Sequence, residues 1–208
     1  MSFLEKLLGK KNEIVLGIDI GSSAIKIVQI KRKKGKAVLE TYGELALGPY
    51  AGIEIGRATN LPMEKIAEAL IDVLRESNTT TKQCGVTLPL ASSLITFMSV
   101  PTIDPKQIGG MVTLEARKYI PVPITEVMLD WSIIPKDNVP EDPNAPQTPE
   151  QKGSTDVLMV AIHNEVLANY QGLASKTGLQ PTFLEIELFS AVRAVLEQGI
   201  SAQMIVDM

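Results

Sequence analysis

Five residues near the start of the chain have the types and spacing of a phosphate-binding site. Asp19 is the only charge within an apolar, β-branched run, and a carboxylate in such surroundings needs a cation, water or hydrogen-bond donors beside it. Gly21, Ser22 and Ser23 follow, and a turn of small residues can direct successive backbone N–H groups at one anion. Lys26 adds a positive charge. The spacing predicts a phosphate-binding hairpin in which Asp19 holds Mg²⁺ through water, and the alternative is a turn with no ligand.

Two strands must hold these residues on either side of the turn. Apolar and β-branched residues dominate 14–20 and 25–30, as expected of buried strands. A third strand is predicted at 36–47, so that three sequential strands form an antiparallel meander. Pro62 then opens an amphipathic helix, and a short strand follows at 84–89.

The rest of the chain continues the mixed pattern. Strands at 94–100 and 127–134 flank a helix predicted to run from a cap at Asp104 to Pro121, which together resemble a small subdomain. Strand and helix then alternate twice. These last elements are a strand at 156–162, a helix from Asn164, a strand at 179–187 and a helix that Gly199 closes. The alternation predicts an α/β fold.

The composition is that of a globular protein without a nucleic-acid partner. Apolar residues make up 45% of the 208 residues and the net charge is −4. The basic run at 31–36 is interpreted as a solvated hairpin tip. Cys84 is the single cysteine, which excludes an internal disulfide and favours a reducing compartment. It is interpreted as a core residue, and the single histidine, His163, as a structural one.

The first residues of the chain predict a short amphipathic helix at 2–9. Ser2 can cap it and Gly9 can end it. Its apolar face and the basic residues after it are Phe3, Leu4, Leu7, Leu8, Lys10 and Lys11. We expect this helix to dock on a protein surface; the alternative is contact with a membrane surface.

Two further segments differ from the α/β pattern. Four prolines and many polar residues at 136–154 predict a mobile loop, because such a sequence can bury little apolar surface. The last residues, 203–208, repeat the pattern of 16–20, an apolar strand with one aspartate, here Asp207. They are predicted to begin a second, similar half that this sequence does not contain.

Four stretches of the sequence resemble the PilM family of type IV pilus assembly proteins, which are relatives of FtsA among the actin-like ATPases. They are Gly-Ile-Asp-Ile-Gly-Ser-Ser-Ala-Ile-Lys at 17–26, Leu-Glu-Ala-Arg-Lys-Tyr-Ile-Pro-Val-Pro at 114–123, Val-Met-Leu-Asp-Trp at 127–131 and Leu-Glu-Ile-Glu-Leu-Phe at 184–189. The second and third are the most diagnostic. The resemblance covers the whole sequence but only the first half of a PilM-type protein.

The resemblance implies an actin-like first lobe. Its ribonuclease-H-like subdomain would comprise residues 1–86 and 155–202, with an inserted, FtsA-type α+β subdomain at 87–135. The loop at 136–154 would connect them, and 203–208 would be the first strand of the second lobe.

The resemblance also assigns roles to individual residues. It matches five residues to the first phosphate loop and its cation contacts: Asp19, Gly21, Ser22, Ser23 and Lys26. Glu187 matches a catalytic residue near the attacking water of related ATPases, and Asp207 matches the aspartate of the second phosphate loop. ATP and Mg²⁺ are implied as ligands of the full-length protein. Because the Gly-rich turn after Asp207 and the adenosine-contacting part are absent from the sequence, we expect poor nucleotide binding and no ATPase activity here.

The partner that the resemblance implies is the N-terminal peptide of a PilN-type membrane protein, bound in a groove between the two subdomains. A PilM-like protein would be a cytoplasmic scaffold at the inner face of the inner membrane. It would associate peripherally through partners, which could include other platform and motor proteins of the pilus. Two alternatives use the same fold: an ATPase or small-molecule kinase, and an FtsA-like cell-division filament protein.

Overall fold

The computed structural model describes residues 14–101, 107–135, 154–195 and 204. The predicted helix at 2–9, nearly all of the Pro-rich loop, and the last strand with Asp207 lie outside these residues. Within them the chain forms eight strands and four α-helices. The strands are β1 Ile14–Ile20, β2 Ala24–Lys33, β3 Lys36–Ala46, β4 Gln83–Leu88, β5 Ser93–Pro101, β6 Val127–Ile133, β7 Ser154–His163 and β8 Gln180–Ile186. The helices are α1 Met63–Glu76, α2 Ile108–Ala116, α3 Asn164–Thr177 and α4 Glu187–Val195.

The chain divides into two compact units. The first unit comprises Met1–Leu90 and Ala168–Met208, and the second comprises Ala91–Leu167. Each unit has its own sheet. No helix in the described part of the chain is long and apolar enough to cross a membrane.

A five-stranded sheet in the order β3-β2-β1-β4-β8 forms the first unit. β1, β2 and β3 pair antiparallel, which confirms the predicted meander, whereas β4 and β8 run parallel to β1. The two edge strands carry residues that pair poorly with a further strand. In β3 these are Lys36, Glu40 and Glu44, all exposed, and in β8 the residue is Pro181.

One face of this sheet is packed against α1. Leu16, Ile18 and Ile20 alternate toward that face and are almost fully buried, because alternate residues of a strand point to the same side. The helix can approach closely because β3 has a glycine opposite it. A Cβ at Gly43 would lie 2.0 Å from the Ser77 hydroxyl oxygen at the end of the helix.

A buried glutamine joins the sheet to the loop before β4. Gln29 is 2% exposed, and its carbonyl oxygen accepts hydrogen bonds from the backbone N–H groups of Thr80 at 2.9 Å and Thr81 at 3.3 Å. Its amide nitrogen donates to Glu40 at 3.0 Å and to the hydroxyl of Thr80 at 2.9 Å. The buried amide is therefore fully hydrogen-bonded, as a polar group in a core must be.

The second unit contains a three-stranded antiparallel sheet in the order β5-β7-β6. One face of this sheet forms a core with α2, in which Val112 and Met159 are fully buried. Trp131 packs at the margin of this core, where a Cβ at Gly109 would lie 3.5 Å from its ring. Gly109 therefore lies beside the single tryptophan, at a distance where a side chain would make ordinary van der Waals contact with the ring.

Two predicted boundaries in this region need correction. The strand predicted at 156–162, within the range 155–202 expected to belong to the first subdomain, is β7; it pairs with β5 and β6 and is the central strand of the second unit. The helix predicted to reach Pro121 ends at Ala116. After Ala116 the chain tightens, because the N–H groups of Lys118 and Tyr119 bond to carbonyls three residues back, each at 3.0 Å. Ile120, the residue before Pro121, then leaves the helical conformation. Asp104, the predicted cap, lies outside the described residues.

Candidate functional site

The carboxyl ends of three parallel strands meet at one edge of the first sheet. Asp19 is the next-to-last residue of β1, Thr87 is the next-to-last residue of β4, and Glu187 follows β8 directly. Ligands of open α/β sheets bind outside the carboxyl ends of the strands. The sheet topology thus gathers polar side chains where a ligand can reach them.

The carboxylate of Asp19 is held in a fixed position. The hydroxyl of Thr87 donates a hydrogen bond of 2.5 Å to its Oδ1 atom, and Lys26 is its cross-strand neighbour on β2. The described residues contain no group of three or more His, Cys, Asp or Glu side chains that could hold a metal ion. A magnesium ion held by Asp19 would take its other ligands from water and phosphate oxygens, as this ion usually does.

The turn after β1 is anchored through its carbonyl groups. The carbonyl oxygen of Ser22 accepts two hydrogen bonds of 2.8 Å from Thr59, one from its N–H and one from its hydroxyl, and that of Ser23 accepts one of 2.8 Å from the Leu47 N–H. Within the described chain, the N–H groups and hydroxyls of both serines donate to no other residue. Glycine suits position 21 of this turn, because a Cβ there would lie only 3.2 Å from the carbonyl oxygen of Ala24. The turn can therefore present four donors to an anion.

Glu187 fixes the start of the last helix. Its Oε1 accepts a hydrogen bond of 2.7 Å from the N–H of Leu90, just beyond β4. Tyr170 of α3 is 7% exposed, and its pKa is raised to about 12 by burial, with further contributions from the negative charges of Asp19 and Glu187. Both carboxylates are therefore close enough to Tyr170 for their charges to disfavour its ionised form.

A cavity of about 260 Å³ lies on the sheet face that carries Asp19 and Lys26. Two glycines on neighbouring strands form part of its wall. A Cβ at Gly85 would lie 2.0 Å from the ring of Phe183, which covers that glycine. Its full lining is Gly17, Ile18, Asp19, Lys26, Ile27, Val28, Gly85, Val86, Thr87, Phe183 and Ser190. The cavity is mostly apolar and is continuous with the polar groups at the strand ends.

An ion pair fixes α4 beside this cavity. Arg193 binds the carboxylate of Glu185 through both terminal guanidinium nitrogens, and the Ser190 hydroxyl donates to the same carboxylate at 2.7 Å. Burial acts to raise the pKa of the Glu185 carboxyl, but the hydrogen bonds from Arg193 and Ser190 outweigh it, so the pKa lies below its usual value. The helix that begins with Glu187 is therefore held firmly to β8.

The structure brings together all but one of the residues predicted from the sequence. Asp19, the Gly21 to Ser23 turn, Lys26 and Glu187 lie at one end of the first sheet, while Asp207 is outside the described residues. Thr87 and Tyr170 were not predicted. The sequence places Thr87 near the end of a short apolar strand, which is a position where ligand-binding residues occur. It does not indicate a contact with Asp19, because the two residues are far apart along the chain.

A second surface lies within the second unit. The sheet face opposite α2 carries six apolar residues, here called the open face: Ile95, Phe97, Met128, Leu158, Val160 and Ile162. The side chains at its two edges are well exposed, with Phe97 at 70% and Met128 at 59%. Asp130 and Asp156 lie on the same face. An apolar face with an acidic margin is a feature of binding surfaces.

Comparisons with known proteins agree with this architecture. Residues 17–205 match the family described as type IV pilus assembly protein PilM. A solved structure of a PilM-PilN type IV pilus biogenesis complex is similar with a TM-score of 0.66 and 25% identity, over 86% of this chain and 49% of that chain. The cytoplasmic domain of EpsL, an inner membrane component of the type II secretion system of Vibrio cholerae, is similar in fold, with a TM-score of 0.52, 12% identity, and coverage of 86% and 59%.

The structural matches cover most of the length of this chain but only about half of the length of the related chains. The chain spans about half the length of the chain that it matches in the PilM-PilN complex. The order of the five strands, the helices and the inserted second unit fit an actin-like fold. The chain therefore belongs to the PilM family of type IV pilus assembly proteins.

Proposed function

We propose that this protein is a scaffold of type IV pilus assembly, or of the related type II secretion machinery, that binds the N-terminal peptide of a PilN-type membrane protein. The observation that carries this proposal is the family match over residues 17–205, together with the similarity to a PilM chain in a PilM-PilN complex. The scaffold would act in the cytoplasm at the inner face of the inner membrane, where such a partner presents its peptide.

The open face of the second unit supports peptide binding. An extended peptide can pack apolar side chains against Phe97 and Met128, which are exposed at opposite edges of the sheet. The carboxylates of Asp130 and Asp156 can attract a basic residue of the peptide. The face therefore offers apolar area for affinity and charge for orientation.

Titration calorimetry with a PilN-type N-terminal peptide tests this proposal. Removing the Phe97 ring with Phe97→Ser loses about 1.5–3 kcal/mol of apolar burial, so we expect affinity to fall at least tenfold. Leu114→Ser is the matched control, because Leu114 is 64% exposed but lies on α2, at the other side of the sheet. Absence of peptide binding by the folded chain, or equal effects of the two variants, would contradict the proposal.

We further propose that ATP is a conformational ligand of a longer form that includes the second lobe. The support is local: the fixed Asp19 carboxylate, the four donors of the turn at Ser22 and Ser23, and Glu187 near them. In that longer form, Asp19→Ala should sharply weaken Mg²⁺-ATP binding, and Thr87→Val should weaken it less, because it only frees the Asp19 side chain. Tight ATP binding by the 208-residue chain would refute the need for both lobes.

A further inference from the structure

The face of the first sheet opposite α1 carries neighbouring apolar side chains that are open to solvent. Alternate residues of β1, β2 and β3 reach this face, because side chains alternate between the two sides of a strand. They are Val15, Val28, Ile30, Leu39 and Tyr42, here called the hairpin face. Val28 and Ile30 are 40% and 39% exposed, and Leu39 and Tyr42 are 55% and 73% exposed. A soluble monomer rarely leaves so many adjacent large apolar side chains in water.

The residues of the hairpin face stand in two rows that run across the strands. The cross-strand partners in these rows are Val15-Ile30-Leu39 and Gly17-Val28-Tyr42. Neighbouring rows are about 7 Å apart along the strands, so the apolar side chains form one patch without a charged residue between them. Gly17 is the one small residue in the two rows, and it leaves a depression in the patch beside Val28.

Charges of opposite sign bound the two ends of the hairpin face. The next row toward the carboxyl end of β1 is Asp19-Lys26-Glu44, in which the carboxylates outnumber the ammonium group. The next row in the other direction contains Arg32, and the tip of the hairpin beyond it carries the exposed side chains of Lys33, Lys34 and Lys36. One end of the patch is therefore negative and the other is strongly positive.

We propose that the hairpin face is the interface of a symmetric dimer of this chain, in which the strands of the two copies run antiparallel. Packed sheets keep their strands within about 30° of each other, and a two-fold axis across the strands reverses the strand direction. This axis places the Val28 row of each copy over the Ile30 row of the other. Tyr42 then contacts Leu39 of the second copy, and Val15 fits into the space above Gly17.

Charge selects this arrangement and this partner. The same axis brings Glu44 of each copy toward Arg32 of the other, so the negative end of the patch meets the positive end twice. An axis along the strands would superpose the two lysine-rich tips, which repel each other. A uniformly anionic partner, such as a nucleic acid or a lipid surface, would be attracted by the tip but repelled by Asp19 and Glu44. A second copy satisfies both ends of the patch.

Sedimentation velocity of the complete chain tests the interface. We expect a reversible equilibrium between monomer and dimer in the micromolar range, because the hairpin face is smaller than a standard protein interface. Leu39→Ser should weaken dimerisation roughly 100-fold, since a two-fold interface loses the side chain twice. Leu114→Ser is the matched control, because Leu114 is 64% exposed on α2 of the second unit. This control should dimerise as the unchanged chain does.

An exchange of charges tests the antiparallel arrangement. Glu44→Arg and Arg32→Glu should each weaken self-association at least tenfold, because each variant places like charges opposite each other at both ends of the interface. A mixture of the two variants should form a mixed dimer about as tightly as the unchanged chain, since every pair across the axis is then of opposite sign. Glu68→Arg is the control for charge reversal, because Glu68 lies on α1, at the other side of the sheet, and it should not change dimerisation.

Three results would each overturn the proposal. The unchanged chain would stay monomeric throughout the micromolar range, or Leu39→Ser would dimerise as tightly as Leu114→Ser, which would place the contact on another surface. The third is a mixture of Glu44→Arg and Arg32→Glu that associates no better than either variant alone, which would exclude the antiparallel pairing of the two patches.

Discussion

Replacing Gln29 by methionine tests whether the buried amide holds the loop before β4 in place. Methionine keeps the length of the side chain but removes all four of its hydrogen bonds, including those from the N–H groups of Thr80 and Thr81. A buried donor left without a partner costs about 1–3 kcal/mol. Thr80 is itself exposed, so water can reach part of the freed loop. We therefore expect local opening to become easier by about 2 kcal/mol.

Amide hydrogen exchange followed by NMR measures this opening residue by residue. A change of about 2 kcal/mol corresponds to about a 30-fold loss of protection at Thr80 and Thr81. Gln171→Met is the control, because Gln171 is exposed on α3 and its change should leave both amides protected. If protection at the two threonines in Gln29→Met equals that of the unchanged chain, the glutamine does not stabilise the loop and the reasoning fails.

Two further predictions concern buried acidic groups. The pKa of Tyr170 is raised to about 12, so the stability that depends on its protonated form is complete below pH 10, the usual Tyr value, and is lost as the pH rises toward 12. Between these values the unchanged chain should lose about 2–3 kcal/mol more than Tyr170→Phe in denaturant unfolding, and parallel curves would contradict this. Burial raises the pKa of the Cys84 thiol to about 11. The thiol should therefore react with a disulfide reagent at pH 8 only after unfolding. Rapid reaction of the native chain would show that Cys84 is accessible to the reagent.

Local signals in the sequence predicted much of the first unit. The β-branched runs around the Gly21 to Ser23 turn identified β1 and β2 because both the strand period and the turn residues lie within a few positions of each other. Pro62 predicted the start of α1 because a helix start is also a local signal, and Pro62 is the N-cap of that helix. The aspartate and lysine on either side of the turn became cross-strand neighbours as a direct result.

Long-range pairing could not be predicted in the same way. An apolar run such as β7 fits the middle of any sheet, so its sequence could not tell the second unit from the first. The hydrogen bond from Thr87 to Asp19 depends on β4 lying beside β1, which is a property of the whole sheet. Tyr170 has the helical spacing of an ordinary core residue, and only the folded chain shows that the charges of Asp19 and Glu187 help to raise its pKa.

The edge strands of the first sheet affect how copies of this protein can associate at high concentration. Unpaired strand edges invite strands of other chains to extend the sheet, which is a common route to aggregation. β3 opposes this with charged side chains at Lys36, Glu40 and Glu44, and β8 with Pro181, which has no N–H to donate. With both of its edges closed to growth, the first sheet leaves contacts between copies of the first unit to side-chain surfaces, where association can be reversible.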